Sequence, residues 1–476
     1  MGFTSEVFIF YFLPLTLLLY HITLRHSIPG ALAFLSFASL IFYSWEMPYY
    51  LVLLVGSIVV NWMLAHFIVR TKKKPFHIAA IFLSVISNLG LLGFFKYGEF
   101  FYQNFTDFLG IVGTGQSAVE HSFLRDIILP VGISFYTFQT ISYLIDLYRG
   151  KVLEARSFVE FLCYVSSFPQ LVAGPIVRYS ELRDQFAKPR VSLNTIELGC
   201  FIFIMGLAKK TLIADSLAPL ANHIFDGSLA HNALITLAGV TAYTLQLYFD
   251  FSGYSEMAVG IGLLLGFQFP QNFNSPYKAL NIRDFWRRWH ITLSSWFRDY
   301  LYIPMGGNRN GEANKKRNLL ATMGLVGLWH GAGWTFVIWG VGHGVALVID
   351  EYLSRFCQST ALKALRRAWV IFVVVLLWIP FRAENLSVTG QIIERILFGW
   401  SGLDEAVRDL IGLPSEVKLA CLILPFSIWG ALRLPNVFEM SPKTSLAKSL
   451  MLSVLLVISI YTLLARDYVP FLYFQF

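Results

Sequence analysis

Charge is scarce in this chain. Asp, Glu, Lys and Arg together make up 14% of its 476 residues, against about 25% in a soluble globular domain. The repeated apolar runs and the mean hydropathy of +0.60 exclude an ordinary soluble fold and point to a multi-pass membrane protein. The four cysteines (Cys163, Cys200, Cys357 and Cys421) carry no metal or disulfide spacing and read as small buried hydrophobes. There is no Walker loop, dinucleotide fingerprint, G-x-S-x-G elbow or HExxH motif. Metal sites, tightly bound cofactors and an acyl-enzyme serine relay are therefore not expected. No internal repeat and no separate soluble domain stand out, so residues 1–476 read as a single membrane-embedded domain. The apolar stretch at 7–20 lacks a basic lead-in and a small-residue cleavage site, which makes it a first spanning helix and not a removed signal. The net charge of +8 is no sign of a nucleic-acid partner, because the Lys and Arg residues fall in short loops between apolar runs.

What the chain has is apolar and aromatic side chains, 56% hydrophobic with 16% Phe, Trp and Tyr. Lys/Arg bias places the loop at Arg70–Lys74 in the cytoplasm. Helices near 7–24, 28–45 and 48–69 then put the N-terminus outside. A helix near 77–97 exits, 98–123 is external and partly interfacial, and 126–147 returns. The run at 157–177 is flanked by basic residues on both sides and broken by Pro169, Gly174 and Pro175, so it is predicted to dip into the bilayer and come back. Three apolar runs, near 196–208, 232–250 and 254–270, separate two cytoplasmic flanks. An even number must cross, and the short first run, ending in Lys209 and Lys210, is predicted not to span. The half-helices 318–330 and 334–350 meet at His330-Gly331-Ala332-Gly333. At about 20 Å the first half is too short for a core of about 30 Å, so the bend falls at membrane depth. Helices near 367–382, 415–432 and 446–465 finish the chain with its C-terminus outside. The total is about 11 or 12 crossings.

His330 is the first candidate for chemistry. A histidine at membrane depth either hydrogen-bonds between helices or performs a function. Gly331 and Gly333 clear space beside it, and Trp329 and Trp334 supply walls. Burial favours a neutral imidazole, the form that takes a proton from a hydroxyl. His290 is the second, in NIRDFWRRWHITLSSWFRDYLYIPMGG. As one helix this stretch puts Phe285, Trp289, Thr292 and Trp296 on a common face at the cytoplasmic interface. Arg287, Arg288 and Arg298 would meet lipid headgroups there or an anionic donor, with Asn281 and Trp286 beside them. Asp250 and Tyr254, with Glu256, occur in LQLYFDFSGYSEMAVG. They act either as polar glue or in orienting a histidine and lining a polar tunnel. His343 reads as packing, and His21, His26, His66, His77, His121, His223 and His231 lie near predicted helix ends or in loops.

The ordered segments LPVGISFYTFQTISYLIDLYRG, FPQLVAGPIVRY, LQLYFDFSGYSEMAVGIGLLLGF, NFNSPYKALNIRDFWRRWHITLSSWFRDYLYIPMGGNR and GLWHGAGWTFVIWGVGHG resemble the membrane-bound O-acyltransferases. The likeness is greatest to the branch of the bacterial alginate O-acetyltransferase membrane subunit. It covers a core of about 129–350, with peripheral helices at 1–128 and 351–476. The resemblance implies an all-α integral membrane protein, a ring of tilted helices with re-entrant segments around a central tunnel. It implies His330 as the tunnel histidine and His290 as the second family histidine, one that positions a donor or polarises its carbonyl. It further implies acetyl transfer from a cytoplasmic thioester, acetyl-CoA, to an extracytoplasmic polysaccharide, directly or through a periplasmic acyltransferase partner, in the inner membrane. D-alanyl transfer to an envelope polymer is the related alternative. A transporter of an acyl donor and a structural scaffold are the competing classes.

Overall fold

The computed structural model describes residues 1–71, 73–111, 124, 127–227, 232–356, 362–440, 445–466 and 469–472. His121, His231, Cys357 and the end of the predicted 98–123 stretch lie outside them. Among the described residues the chain is helical and has no strand. Seven helical stretches among the described residues are long and apolar enough to cross a bilayer: Val7–His26, Pro48–Arg70, Lys74–Gly110, Trp334–Leu353, Lys363–Arg382, Ser415–Arg433 and Leu446–Ala465. Their outward faces carry Leu, Ile, Val and Phe, as a lipid solvent requires. The chain divides into two compact units, residues 1–196 with 261–269, and residues 197–260 with 270–476.

The first unit holds α1 (Leu13–His26), α2 (Ile28–Ser44), α3 (Leu51–Arg70), α4 (Lys74–Leu92), α5 (Gly98–Ile111), α6 (Ile133–Tyr148), α7 (Phe158–Ser166), α8 (Phe168–Leu171) and α9 (Tyr179–Ala187). A buried amide network ties α3, α4 and α6. Asn88 Nδ2 donates to Asn61 Oδ1 at 3.0 Å, and the hydroxyls of Ser84 and Thr140 reach Asn61 and Asn88. Such bonds hold helices together where burial of apolar surface gives no preference over lipid. The predicted dip is a broken segment. α7 and α8 have nine and four residues, and neither can span. The chain from 163 to 177 is buried. Several of its polar groups find protein partners: Phe168 N–H donates to Ser39 Oγ at 3.0 Å and Tyr164 O–H to the Val177 carbonyl at 3.1 Å. Gly132, at φ +76°, lets α6 start against this segment; a Cβ there would lie 2.6 Å from the Leu171 carbonyl oxygen. One expectation changes. The helix does not end near residue 97 but continues through a π-helical turn at Gly93–Tyr97 into α5.

The second unit begins within α10 (Leu193–Ala208) and continues through a π-helical turn at Lys209–Ala214 into α11 (Asp215–Phe225). The predicted short run ending at two lysines is therefore corrected. Helix runs on past them, because Lys209 and Lys210 are not in a cytoplasmic loop. Lys209 pairs with buried Glu256, and Lys210 pairs with Asp250 at 2.6 Å and Asp215 at 2.8 Å. The predicted runs 232–250 and 254–270 are likewise one helix, α12 (Ala233–Leu264), of 32 residues. At 1.5 Å per residue it is about 48 Å long. Gly253 does not break it, since a Cβ there would lie 2.7 Å from the Gly206 carbonyl oxygen: the glycine is a packing contact against α10. Two long helical segments thus replace three runs.

Then follow α13 (Ile282–Arg288), α14 (Ile291–Phe297), α15 (Gly311–His330), α16 (Trp334–Phe356), α17 (Lys363–Arg382), α18 (Leu386–Phe398), α19 (Leu403–Gly412), α20 (Ser415–Arg433) and α21 (Leu446–Ala465). The predicted half-helix 318–330 starts earlier, at Gly311, and takes in GEANKKR. At 20 residues it is about 30 Å long. α15 and α16 pack backbone to backbone: a Cβ on Gly327 would fall 2.2 Å from the Phe336 carbonyl oxygen, and one on Gly340 2.3 Å from that of Met323.

Candidate active site

His330 is the last residue of α15, and Gly331 follows in extended conformation (φ −161°, ψ 151°). The chain bends at His-Gly-Ala-Gly as the sequence predicts, but α15, at about 30 Å, is not the short half-helix that would place the bend at membrane depth, and Gly331 serves packing. A Cβ there would lie 2.1 Å from the Phe336 ring, whereas at Gly333 it would make only ordinary contacts. The His330 imidazole stands edge to face with Trp329 (4.9 Å), Trp339 (5.0 Å) and Phe381 (5.2 Å), and the residue keeps 5% exposure.

His290 has no exposure at all. The predicted continuous helix is broken at this residue, which adopts φ 41°, ψ 56° between two seven-residue helices. A left-handed non-glycine residue costs of order 1–3 kcal/mol and persists only where neighbours over-determine it. Here the neighbour is Asn272. Its carbonyl accepts from Ile291 N–H at 2.9 Å. Its side-chain Oδ1 faces His290 Nδ1 at 3.1 Å, Thr292 N–H at 3.2 Å and Thr292 Oγ1 at 2.9 Å. Its Nδ2 donates to Ser255 Oγ at 3.0 Å. Phe251 (4.8 Å, edge-on) and Phe273 (6.2 Å, stacked) flank the ring. α13 and α14 are too short to span, and burial among these groups pushes the His290 imidazole down to about 3. Phe285, Trp289, Thr292 and Trp296 are all buried, so the face survives although the helix is hinged.

Trp329 joins the two histidines, 4.9 Å from His330 and 6.3 Å from His290. Trp286 packs on His343 (5.0 Å) and Trp339 (5.8 Å), one ring removed from His330. The other candidates lie elsewhere. Trp334 is 55% exposed at the start of α16 and is no wall. Asn281 caps α13, its Oδ1 accepting from Asp284 N–H at 2.7 Å. Asp250 and Glu256 serve lysines and not a histidine. Asp250 also accepts from Leu472 N–H at 2.9 Å, and Tyr254 packs against Phe471 at 4.7 Å. Of the arginines, Arg287 is exposed, Arg288 pairs with Asp284 (2.9 Å) and Arg298 with Asp299 (2.7 Å). Asn272, Trp339 and Phe381 went unnoticed in the sequence. Asn272 stands in the NFNSPYKA segment, but nothing there signals a bond to a residue 18 positions on.

Two buried imidazoles around one indole, in an aromatic pocket, suit chemistry at a hydroxyl. Among the described residues no cluster of His, Cys, Asp or Glu could hold a metal ion. Residues 151–389 match the membrane-bound O-acyltransferase family. The chain belongs to that family and is a membrane-embedded, multi-span O-acyltransferase. Along its whole length it is 39% identical to a probable alginate O-acetylase of Pseudomonas putida, covering 100% of both chains. It is 41% identical to a peptidoglycan O-acetyltransferase of Helicobacter pylori over 81% of this chain and 77% of that one. To a teichoic acid D-alanyltransferase of Bacillus subtilis it is 28% identical over 49% of this chain and 61% of the relative.

Proposed function

We propose that this chain moves an acetyl group from a cytoplasmic thioester, acetyl-CoA, to a hydroxyl destined for an extracytoplasmic polysaccharide, directly or through a partner acyltransferase outside the membrane. The observation that carries it is the pair of buried imidazoles, His330 and His290, sharing Trp329 in a membrane-embedded O-acyltransferase. The two relatives aligned over most of their length, named for O-acetylation of alginate and peptidoglycan, support acetyl as the group and a glycan as the acceptor. The setting is the bacterial cytoplasmic membrane, with lipid around the spans and both termini outside, as the Lys/Arg bias suggests.

The donor docks at the basic 283–317 stretch, where exposed Arg287 and Arg309 meet its phosphates beside Arg288 and Arg298. No tightly bound cofactor takes part. Neutral His330 takes the proton of the acceptor hydroxyl as its oxygen attacks the thioester carbonyl. The C–O bond forms, the tetrahedral intermediate expels thiolate as the C–S bond breaks, and the imidazolium returns the proton to sulfur. His290 contacts the donor. In cells His330→Ala abolishes acetylation while the protein stays in the membrane; normal acetylation by that variant refutes the assignment and favours a scaffold. D-alanyl transfer, the second possibility, rests on the shorter match to the D-alanyltransferase and is decided by which labelled thioester is consumed. A transporter would move label without forming an ester.

A further inference from the structure

The amide of Asn272 can be oriented without ambiguity. Its Oδ1 end faces the backbone N–H of Thr292 at 3.2 Å, a group that can only donate. The flipped amide would set an NH₂ against that N–H and take the acceptor away from Thr292 Oγ1, so the oxygen belongs where it stands. The same oxygen is 3.1 Å from His290 Nδ1. An amide oxygen only accepts, so Nδ1 carries the hydrogen. In a neutral imidazole the other nitrogen, Nε2, then carries the lone pair.

We propose that Asn272 is a positioning residue that locks His290 in the Nδ1-protonated tautomer, so that His290 meets substrate through Nε2 as a hydrogen-bond acceptor and does not polarise the thioester carbonyl. This rests on the acyl-transfer role proposed above and decides between the two parts the family resemblance leaves to His290. Polarising a carbonyl takes a donor. Nε2 becomes one only with a second proton, which the buried ring disfavours. The partner that fits Nε2 is a hydrogen-bond donor on the thioester substrate, such as an amide N–H on its arm. The left-handed backbone at residue 290 belongs to the same clamp. Asn272 holds Ile291 N–H through its carbonyl and Thr292 N–H through its side chain, fixing main chain and ring together.

The test is nitrogen NMR of the full-length protein, labelled with ¹⁵N-histidine, in lipid nanodiscs; loss of one signal set in His290→Gln assigns residue 290. The expected pattern is a protonated Nδ1 and a pyridine-type Nε2. The reverse pattern, or one averaged between tautomers, overturns the proposal. Asn272→Asp keeps an acceptor and is expected to keep the pattern and most of the activity. Asn272→Leu removes the acceptor, mixes the tautomers and lowers transfer about a hundredfold. An unchanged tautomer in Asn272→Leu also overturns the proposal. The nitrogen shifts are read without turnover, so a wrong tautomer and a wrong acyl-transfer role give separate failures.

Discussion

His290 and His343 are both fully buried in the second unit, yet their surroundings differ in kind. His290 is wired: its Nδ1 sits on Asn272 Oδ1, its backbone is held left-handed, and Trp329 links it to His330. His343 is packed. Phe285 lies parallel to its ring at 6.2 Å, Trp286 and Trp339 stand edge-on at 5.0 Å, and among the described residues neither ring nitrogen has a hydrogen-bond partner. Burial alone therefore does not mark a chemical site. Nor does a ring shared with His330, since Trp339 lies 5.0 Å from both His330 and His343. What sets His290 apart is the tautomer held by Asn272, which gives its lone pair a known direction.

Substitutions can break or sharpen this contrast. Within the contrast the largest effect is expected from His290→Ala, which should lower acyl transfer by about a hundredfold or more in a labelled-thioester assay, the range of a misplaced substrate, and short of the complete loss expected for His330→Ala. Lys210→Met probes another wired polar group. It leaves Asp250 and Asp215 buried without their cation, and should cost about 3–5 kcal/mol, read as a lowered thermal midpoint in detergent. Gly327→Ala inserts a methyl where α15 and α16 touch and should cost about 1–3 kcal/mol. Because His330 lies three residues on in the same helix, transfer should fall as well, which an assay beside a melting curve will show. His343→Phe should do least. A ring replaces a ring among aromatics, so stability should change by less than about 1.5 kcal/mol and transfer by less than about threefold. A large loss of transfer with intact stability would give His343 chemistry and erase the contrast.

Much of this was legible in the chain. Scarce charge and long apolar runs announce membrane helices, and the proline-broken run between two basic flanks announces the broken segment at 157–177. His330 at a glycine bend could be picked out because a titratable side chain is costly among apolar residues. Lys209 and Lys210 misled, since the bias that places basic loops cannot see a carboxylate 40 or more residues away that buries a lysine. The hinge at His290 was hidden because a positive φ on a histidine leaves no trace in helical periodicity. Asn272 was hidden for a related reason: its value lies in one oxygen meeting three donors, a fact of three-dimensional placement only.

The central claim is that one imidazole, His330, serves a donor from one side of the membrane and an acceptor from the other. Purified protein in proteoliposomes, with labelled acetyl thioester on the cytoplasmic face and the acceptor confined to the opposite face, tests it directly. The expected result is labelled ester on the far side with wild type and none with His330→Ala. Equal labelling by both proteins, or ester formed only when donor and acceptor share a compartment, would contradict it.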